Sequence, residues 1–380
     1  MTPGARISAA IEILDRILAG QPAEQALLRW SRASRFAGSG DRAAVRDLVF
    51  DALRRRNSHA ALGGALTGRG LMIGGLMAAG RDPAALFTGQ GHAPEPLAEG
   101  EGMGTASGVS DIPAWVQPLW DASLGDLSND VATAMQERAP VWLRVNPVKA
   151  TPDDAMGALA EDGIAAEPDP RLPTALRVTE NERRLSQGRA YRDGLVELQD
   201  LSPQLACAAL PVGPGMRVLD YCAGGGGKTL AVAGRAEGLT MVAHDADPAR
   251  MRDLPGRAER AGVKVRLDTD PAGSFDLVIA DVPCSGSGTW RRTPDAKWRL
   301  TQASLEQLLA LQAAILRRAA GHVRPGGCLA YMTCSVLAPE NDAQAKAFLQ
   351  DSPDFSQVSR HLWTPLDASD GFFLSLMERR

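Results

Sequence analysis

Two cysteines of this sequence, Cys284 and Cys334, stand fifty positions apart in loops of small polar residues, "DVPCSGSGTW" and "MTCSV". Each loop directly follows a strand-like apolar run. A thiolate is strongly nucleophilic and also leaves well, and its addition to carbon 6 of a pyrimidine makes carbon 5 able to take a methyl group. Asp281 lies three residues before Cys284, where a carboxylate can bind the N3/N4 edge of a cytosine. These residues predict covalent chemistry on a pyrimidine base.

The other cysteines and the termini limit the alternatives for these thiols. The chain has five cysteines, an odd number, without a C-x-x-C pair or a histidine cluster, so we expect no metal site. The start "MTPGARISAA" lacks the apolar core of a signal peptide, and no apolar run reaches the ~18 residues that span a bilayer. We therefore expect a cytoplasmic monomer with reduced thiols. Packing explains Cys207 and Cys328, and also the side chain of Cys222, whose backbone lies in a glycine-rich loop.

A glycine-rich loop and the acids after it predict a nucleoside cofactor. In "DYCAGGGGKT", Gly224 to Gly227 lie between a strand and a helix, where glycine allows the backbone to approach a ligand closely. Asp245 ends the next strand, and an acid there accepts hydrogen bonds from ribose hydroxyls. Asp268 or Asp270 can face an adenine. These residues suit both NAD and S-adenosylmethionine, and the cysteine after proline favours the latter because hydride transfer has no use for it.

The positioning elements fall into three predicted domains. Residues 1–100 carry apolar residues at helical spacing and predict a helical domain. Residues 101–195 hold a linker and a small α/β segment around "VWLRVNP" and "TALRVTE". In residues 196–380 short buried strands alternate with helices, which predicts an α/β fold with a mostly parallel sheet. In such sheets ligands bind at the carboxyl ends of the strands.

Charge is unevenly distributed along the chain. Residues 1–60 hold ten arginines and six acids, a balance of +4, whereas the whole chain carries −4. A basic N-terminal region on an acidic chain indicates a polyanionic partner, and a solvated helix face is the alternative. The arginines at 54–56 suit either a helix C-terminus or a phosphate contact.

The motifs together resemble those of the Sun/RsmB-type RNA (cytosine-5) methyltransferases. They are "DYCAGGGGKT", "DVPCSGSGTWRRTPDAKW", "YMTCSVLAPEN" and "DGFF", and the resemblance covers residues 140–380. The N-terminal "GDRAAVRDLVFDALRRR" resembles, less specifically, the NusB-like RNA-binding domain of the ribosomal RNA members. The resemblance implies a class I methyltransferase with a Rossmann-like sheet, an all-helical N-terminal domain and S-adenosyl-L-methionine as cofactor.

The same resemblance assigns roles to individual residues. It makes Cys334 the nucleophile and Cys284 the residue that assists release of the methylated base. The implied cofactor contacts are Cys222, Ala223, Gly224, Gly225, Gly226, Gly227, Lys228, Asp245, Asp268 and Asp281. The family usually has Ala-Pro where this chain has Gly224 and Gly225. Glycine loses rigidity but raises no steric obstacle, so we expect cofactor binding to survive.

RNA is the expected substrate because DNA cytosine methyltransferases attack with the proline-cysteine thiol and lack the second cysteine. Arg291, Arg292, Lys297 and Trp298 follow the first cysteine loop and offer charge with a stacking surface for a flipped base. A core position is the alternative for Trp298. We expect methylation of carbon 5 of a cytosine in ribosomal RNA. The alternatives are transfer RNA, an NAD-dependent oxidoreductase, and a non-catalytic RNA-binding protein.

Overall fold

The computed structural model describes residues 1–380 and contains fifteen α-helices, six short 3-10 helices and eleven strands. The helices are α1 (Pro3–Leu18), α2 (Ala23–Ala33), α3 (Ser39–Arg54), α4 (Arg56–Gly63), α5 (Gly68–Ala78), α6 (Gln117–Leu124), α7 (Ser128–Ala134), α8 (Pro152–Glu161), α9 (Arg189–Arg192), α10 (Leu201–Ala208), α11 (Gly227–Ala233), α12 (Leu254–Ala261), α13 (Pro294–Arg299), α14 (Gln302–Ala320) and α15 (Asp342–Asp351). The strands are β1 (Val141–Val145), β2 (Ala165–Asp169), β3 (Leu172–Glu180), β4 (Val196–Leu198), β5 (Arg217–Asp220), β6 (Thr240–Ala243), β7 (Val265–Leu267), β8 (Phe275–Asp281), β9 (Val323–Thr333), β10 (Phe355–Trp363) and β11 (Phe372–Arg379).

These elements form two compact units. The helical unit comprises residues 1–121, 126–138 and 290–300, and the α/β unit comprises residues 122–125, 139–289 and 301–380. The segment 290–300, which follows the first cysteine loop in the sequence, is therefore part of the helical unit. The three-domain division predicted from the sequence stays a prediction.

The helical unit is built on amphipathic helices. Thr2 caps α1 by accepting a hydrogen bond from the Ala5 backbone at 3.2 Å, and a side-chain oxygen is the usual partner for such an unpaired N–H group. Apolar residues at helical spacing, among them Ile13, Leu14 and Val49, are fully buried in one cluster. Their burial supplies the stability that short isolated helices lack.

The arginine run at the end of α3 is engaged within this unit. The Arg54 guanidinium donates to the Arg291 carbonyl at 2.7 Å, and Arg55 forms ion pairs with two acids. The Arg56 guanidinium stacks 3.7 Å from the centre of the Trp298 ring. These contacts hold the three arginines within the unit, and both the helix-terminus and the phosphate-contact interpretations stay predictions.

The smaller sheet of the α/β unit is antiparallel, in the order β2-β3-β1-β4. Helix α8 packs on it, capped by Thr151, which accepts from the Asp154 backbone at 3.2 Å. Leu143, Leu159 and Leu176 are fully buried between helix and sheet. The predicted small α/β segment is confirmed.

The larger sheet has seven strands in the order β10-β11-β9-β8-β5-β6-β7. Strands β5 to β9 pair in parallel, and β11 pairs antiparallel with both β9 and β10. Residues such as Val218, Leu219 and Val278 are fully buried, as expected for strands covered by helices on both faces. The predicted mostly parallel α/β fold is confirmed. No helix of the structure combines the length and the apolar character that crossing a membrane requires.

Candidate active site

The predicted chemical residues meet at one edge of the larger sheet. The glycine loop follows β5, Asp245 follows β6, Asp281 ends β8, and Cys334 comes directly after β9. These four strands run parallel, so their carboxyl ends lie at the same edge.

The glycine loop adopts a conformation that requires glycine. Gly224 and Gly226 have φ angles of 50° and 82°, in the left-handed region that L side chains avoid. A Cβ at Gly226 would lie 2.2 Å from a methyl carbon of Leu254. The loop is tied to the neighbouring strand by the Ala223 N–H, which donates to the His244 carbonyl at 2.9 Å.

Asp245 is a buried acid held against this loop. Its side chain is 3% exposed. One carboxylate oxygen accepts from the Gly224 N–H at 2.9 Å and the other from the Asp247 N–H at 3.0 Å. The Arg250 guanidinium also donates to it at 3.0 Å, a partner that sequence reasoning missed. A carboxylate oriented in this way fits the predicted contact with ribose hydroxyls.

Asp220, at the end of β5, is a further buried acid beside the loop. Its Oδ2 accepts from the Thr229 hydroxyl at 2.6 Å, while Oδ1 has no hydrogen-bond partner. Burial raises the pKa of Asp220 to about 6, although the Thr229 hydrogen bond opposes this shift. A buried acceptor without a partner fits a ligand that carries a hydrogen-bond donor.

Two arginines hold carbonyls of the glycine loop. Arg144 of β1 donates to the Gly227 carbonyl at 2.9 Å, and Arg257 of α12 donates to the Gly225 carbonyl. Arg144 lies in the quoted "VWLRVNP" and Arg257 in a segment without a motif. Sequence reasoning missed both because the contacts join residues 83 and 32 positions apart. They restrain a loop that lacks the family's proline.

Lys228 and Asp281 form an ion pair between the glycine loop and the end of β8. The Lys228 ammonium donates to Asp281 at 2.5 Å. Burial alone would lower the pKa of Lys228, but the Asp281 carboxylate more than offsets this, and the pKa lies above its ordinary value. Lys228 therefore stays charged, and Asp281 is fixed next to the cysteine loop.

The two predicted cysteines form a thiol pair. The sulfur atoms of Cys284 and Cys334 are 3.4 Å apart. A hydrogen bond donated by Cys284 lowers the pKa of Cys334, and the same hydrogen bond, together with burial, raises the pKa of Cys284 well above its usual range. Of the two thiols, Cys334 therefore ionises more readily and Cys284 less readily. This asymmetry matches the roles predicted for them, which stay predictions.

The remaining cofactor residues have local partners. Asp268 accepts from the Asp270 N–H at 3.1 Å and pairs with Arg266 at 3.0 Å, and Asp270 is exposed. Burial raises the pKa of the Cys222 thiol, as expected for a packing cysteine. The choice between Asp268 and Asp270 stays open. No group of three or more His, Cys, Asp or Glu residues is arranged to hold a metal ion.

The four residues predicted to bind RNA lie in the helical unit. Lys297 is 2% exposed, and its ammonium donates to the Arg54 carbonyl at 3.0 Å. The Trp298 indole donates to the Leu53 carbonyl at 2.7 Å. Arg291 is buried and Arg292 partly buried. Lys297 and Trp298 thus both contact the C-terminal end of α3. An RNA role for all four residues and a core position for Trp298 stay predictions.

Comparison with known proteins establishes kinship. Residues 208–375 match the model of the 16S rRNA methyltransferase RsmB/F family, and residues 112–183 match its ferredoxin-like domain. A relative from Xanthomonas campestris pv. campestris, ribosomal RNA small subunit methyltransferase B, is 33% identical over 303 residues, which is 74% of this chain and 69% of the relative. The chain belongs to the RsmB/F methyltransferase family. The resemblance found in the sequence is confirmed.

Other RsmB/F relatives and solved structures agree with this placement. The protein of the same name from Salmonella arizonae is 32% identical, with 70% of this chain and 66% of the relative covered; the chain thus spans about two thirds of these relatives. The crystal structure of PH0851 has a TM-score of 0.76 at 22% identity and covers 100% of this chain and 99% of its own. NSun6 from Pyrococcus horikoshii, solved with SFG, has a TM-score of 0.63 at 17% identity and covers 70% and 98%. These two likenesses show the shared fold.

Proposed function

We propose that this chain methylates carbon 5 of a cytosine in small-subunit ribosomal RNA, with S-adenosyl-L-methionine as the methyl donor. The observation that carries the proposal is the thiol pair of Cys284 and Cys334, 3.4 Å apart, beside the Lys228–Asp281 ion pair. A pair in which one sulfur is prepared as a nucleophile and the other is a proton donor suits covalent pyrimidine chemistry. Membership of the RsmB/F family and the names of its relatives support the RNA class.

The cofactor assignment depends on the glycine loop. Asp245 would bind the ribose hydroxyls, and the unpartnered oxygen of Asp220 would accept from a donor on the ligand. When bound, S-adenosylmethionine supplies an electrophilic methyl group. The structure of NSun6, which was solved with SFG, is consistent with a cofactor site in this fold.

The residues of this chain would act in the following order. The Cys334 thiolate adds to carbon 6 of the cytosine, so that an S–C6 bond forms and carbon 5 becomes nucleophilic. Asp281, an acceptor, binds the N4 amino group and orients the base for attack. After carbon 5 has gained its methyl group, a base accepts the carbon-5 proton, the electron pair of that C–H bond re-forms the C5–C6 double bond, and the S–C6 bond breaks to release Cys334 as a thiolate. Cys284 would assist this elimination.

The test is bisulfite sequencing of RNA from a strain that lacks the gene. We expect one cytosine of 16S ribosomal RNA to lose protection from conversion and to regain it when the wild-type gene is restored. Restoration with the Cys334→Ala variant is the matched control and should leave the site unprotected. Loss of protection only in a transfer RNA would move the substrate to that class, and unchanged protection throughout would contradict the proposal.

A further inference from the structure

A buried carboxylate lies beneath the two cysteine loops. The side chain of Glu340 is fully buried and follows the Cys334 loop in a short helical turn, Ala338–Glu340. Its Oε1 accepts from the Ser285 N–H at 2.8 Å and from the Gln312 amide at 3.0 Å. Its Oε2 accepts from the Ser285 and Ser335 hydroxyls, each at 2.5 Å. Four donors therefore converge on one side chain.

These donors come from both catalytic loops. Ser285 directly follows Cys284, and Ser335 directly follows Cys334. The Glu340 carboxylate thus binds the residue next to each thiol and joins the two loops through hydrogen bonds. The loops also meet directly, because the Gly288 N–H donates to the Cys334 carbonyl at 3.0 Å. A fixed carboxylate between them restricts how far the two sulfurs can separate.

Only an ionised acid satisfies this arrangement fully. A carboxylate accepts at both oxygens and donates nothing, whereas glutamine would turn an N–H₂ group toward hydroxyls that already donate. The Ser335 hydroxyl also accepts from the Leu337 N–H at 3.0 Å and lies 2.8 Å from the Ser287 hydroxyl. If the Ser335 hydroxyl had to accept from residue 340 instead of donating to it, this chain of hydrogen bonds would be disturbed. Hydrogen bonds to charged groups are the stronger kind.

Electrostatic activation of the nucleophile does not explain Glu340. Its negative charge raises the pKa of both Cys284 and Cys334, which opposes formation of the thiolate. The pKa of Cys334 is lowered because the Cys284 hydrogen bond outweighs this effect, and that hydrogen bond exists only if the sulfurs stay close. The contribution of Glu340 is therefore geometric.

We propose that Glu340 is a positioning residue that holds the Cys284 and Cys334 loops together and so maintains the thiol pair. The role in methylation rests on the function proposed above. The effect on the distance between the two sulfurs does not depend on that function. The two parts can be tested separately.

The distance is tested by oxidation of the full-length protein without RNA or cofactor. Diamide, a diazene, takes up the two electrons and two protons of a thiol pair and leaves a disulfide and a hydrazine. Wild-type protein should form the Cys284–Cys334 disulfide readily, as measured by mass spectrometry of the linked peptides. Because small displacements of reacting groups slow reactions strongly, Glu340→Gln should slow this step at least about tenfold. Asp276→Asn is the matched control, since Asp276 bridges two segments at the opposite end of β8.

The catalytic part is tested by steady-state kinetics with RNA. Glu340→Gln should lower kcat by about ten- to a hundredfold and leave the KM for S-adenosylmethionine nearly unchanged, because Asp245 and the glycine-loop residues lie on other loops and Glu340 has no hydrogen bond to Asp281. Ser285→Ala and Ser335→Ala should each reproduce part of the loss. Each should add little in the presence of Glu340→Gln, because they act through the same contacts.

The outcomes distinguish the two proposals. Wild-type rates of both crosslinking and methylation in a folded Glu340→Gln protein would overturn the positioning role. If Glu340→Gln does not fold, Ser285→Ala and Ser335→Ala are tested in its place. Wild-type crosslinking rates in both serine variants would equally overturn the positioning role of Glu340. A third outcome is slow crosslinking in Glu340→Gln while the wild-type protein does not methylate cytosine. This result would refute the proposed function and leave intact the role of Glu340 in holding the two loops together.

Discussion

At the scale of single residues, the thiol pair separates two roles that one cysteine cannot combine. With Cys284 as the donor, the hydrogen bond between the sulfurs lowers the pKa of Cys334 and raises that of Cys284. We expect the sulfur that ionises more readily to attack, and its neighbour lies close enough to assist the later elimination. The order of events in the proposed reaction follows from this asymmetry.

Replacing each cysteine should therefore have a different outcome. Cys334→Ala should abolish methylation and give no covalent adduct, because the bond to carbon 6 runs through that sulfur. Cys284→Ala should accumulate enzyme linked to RNA, because addition proceeds and elimination stalls. Denaturing gel electrophoresis with labelled RNA measures the adduct as a slowly migrating band. An adduct in Cys334→Ala and none in Cys284→Ala would reverse the roles.

The hydrogen bond between the sulfurs predicts a pH dependence for this adduct. Without the Cys284 donor the pKa of Cys334 should rise, so adduct formation by Cys284→Ala should be slow near neutral pH and accelerate as pH increases. Cys284→Ser is the matched control: its hydroxyl can donate to the thiolate and should move the profile back to lower pH. Identical profiles for the two variants would show that the donor does not set the pKa of Cys334.

The buried Asp220 predicts a second pH effect, which concerns folding stability and is independent of the thiol pair. Its pKa is about 6 in the folded protein, above its unfolded value, so folding stability is lost as pH rises through the folded pKa. The full effect is about 3 kcal/mol for a shift of about two units. Asp220→Asn should remove this loss, so its stability relative to wild type should increase as pH rises from about 4 to about 7, as measured by thermal unfolding.

The control for this measurement is an acid whose pKa shifts the other way. Burial alone would raise the pKa of Asp276, but hydrogen bonds from Arg217 and Arg324 outweigh it and lower that pKa. Asp276→Asn should therefore lose stability relative to wild type at neutral pH and recover toward it as pH falls. If the difference in unfolding stability between Asp220→Asn and wild type did not change with pH, the raised pKa assigned to Asp220 would be contradicted.

At the scale of elements, parallel strands explain why distant motifs form one site. The glycine loop, Asp245, Asp281 and Cys334 follow four different strands, and the parallel pairing of those strands brings their carboxyl ends to one edge. The loops then differ in how they are restrained. Arg144 and Arg257 hold the glycine loop, and Glu340 holds the cysteine loops.

Two glycines of the first loop should respond differently to substitution. Gly226→Ala places a side chain at φ 82° and 2.2 Å from Leu254, so strain of about 1–2 kcal/mol adds to a clash. Binding of S-adenosylmethionine, measured by calorimetry, should be lost or strongly weakened. At Gly225 the nearest atom to a Cβ is the flexible Arg257 guanidinium at 3.2 Å, and Gly225→Ala should bind nearly as wild type. Equal affinities of Gly226→Ala and Gly225→Ala for S-adenosylmethionine would show that the left-handed backbone at Gly226 does not require glycine.

At the scale of the whole molecule, the basic balance of the chain lies in residues 1–60, within the helical unit. Several arginines of this unit pair with acids or pack on aromatic rings. The net charge therefore overestimates how many arginines are available to bind RNA. Arg29, Arg32 and Arg35, on and just after α2, are exposed. They are better candidates for binding phosphates than the buried Lys297.

Neutralising those three arginines should reduce the salt dependence of RNA binding. Removing one arginine–phosphate interaction lowers the slope of log affinity against log salt by about 0.7 to 0.9. The variant Arg29→Gln/Arg32→Gln/Arg35→Gln should therefore bind RNA more weakly with a shallower slope. Arg266→Gln/Arg317→Gln/Arg318→Gln removes the same charge from exposed positions of the α/β unit. Equal slopes for both variants would exclude a specific role of the helical unit.

The sequence alone determined the methyltransferase family of the chain and the type of sheet on which the site is built. A cysteine that directly follows a strand can be recognised within one short motif. Buried strands that alternate with helices imply parallel pairing of those strands. The tertiary structure alone decided that the two sulfurs are in contact, which arginines hold the glycine loop, that Glu340 joins the cysteine loops, and that Lys297 is buried. Those properties come from contacts between residues far apart in sequence, such as Ser285 and Glu340, 55 positions apart, or Arg54 and Lys297, 243 apart. Hydrogen bonding and burial depend on those distances in space, and no local pattern of residues encodes them.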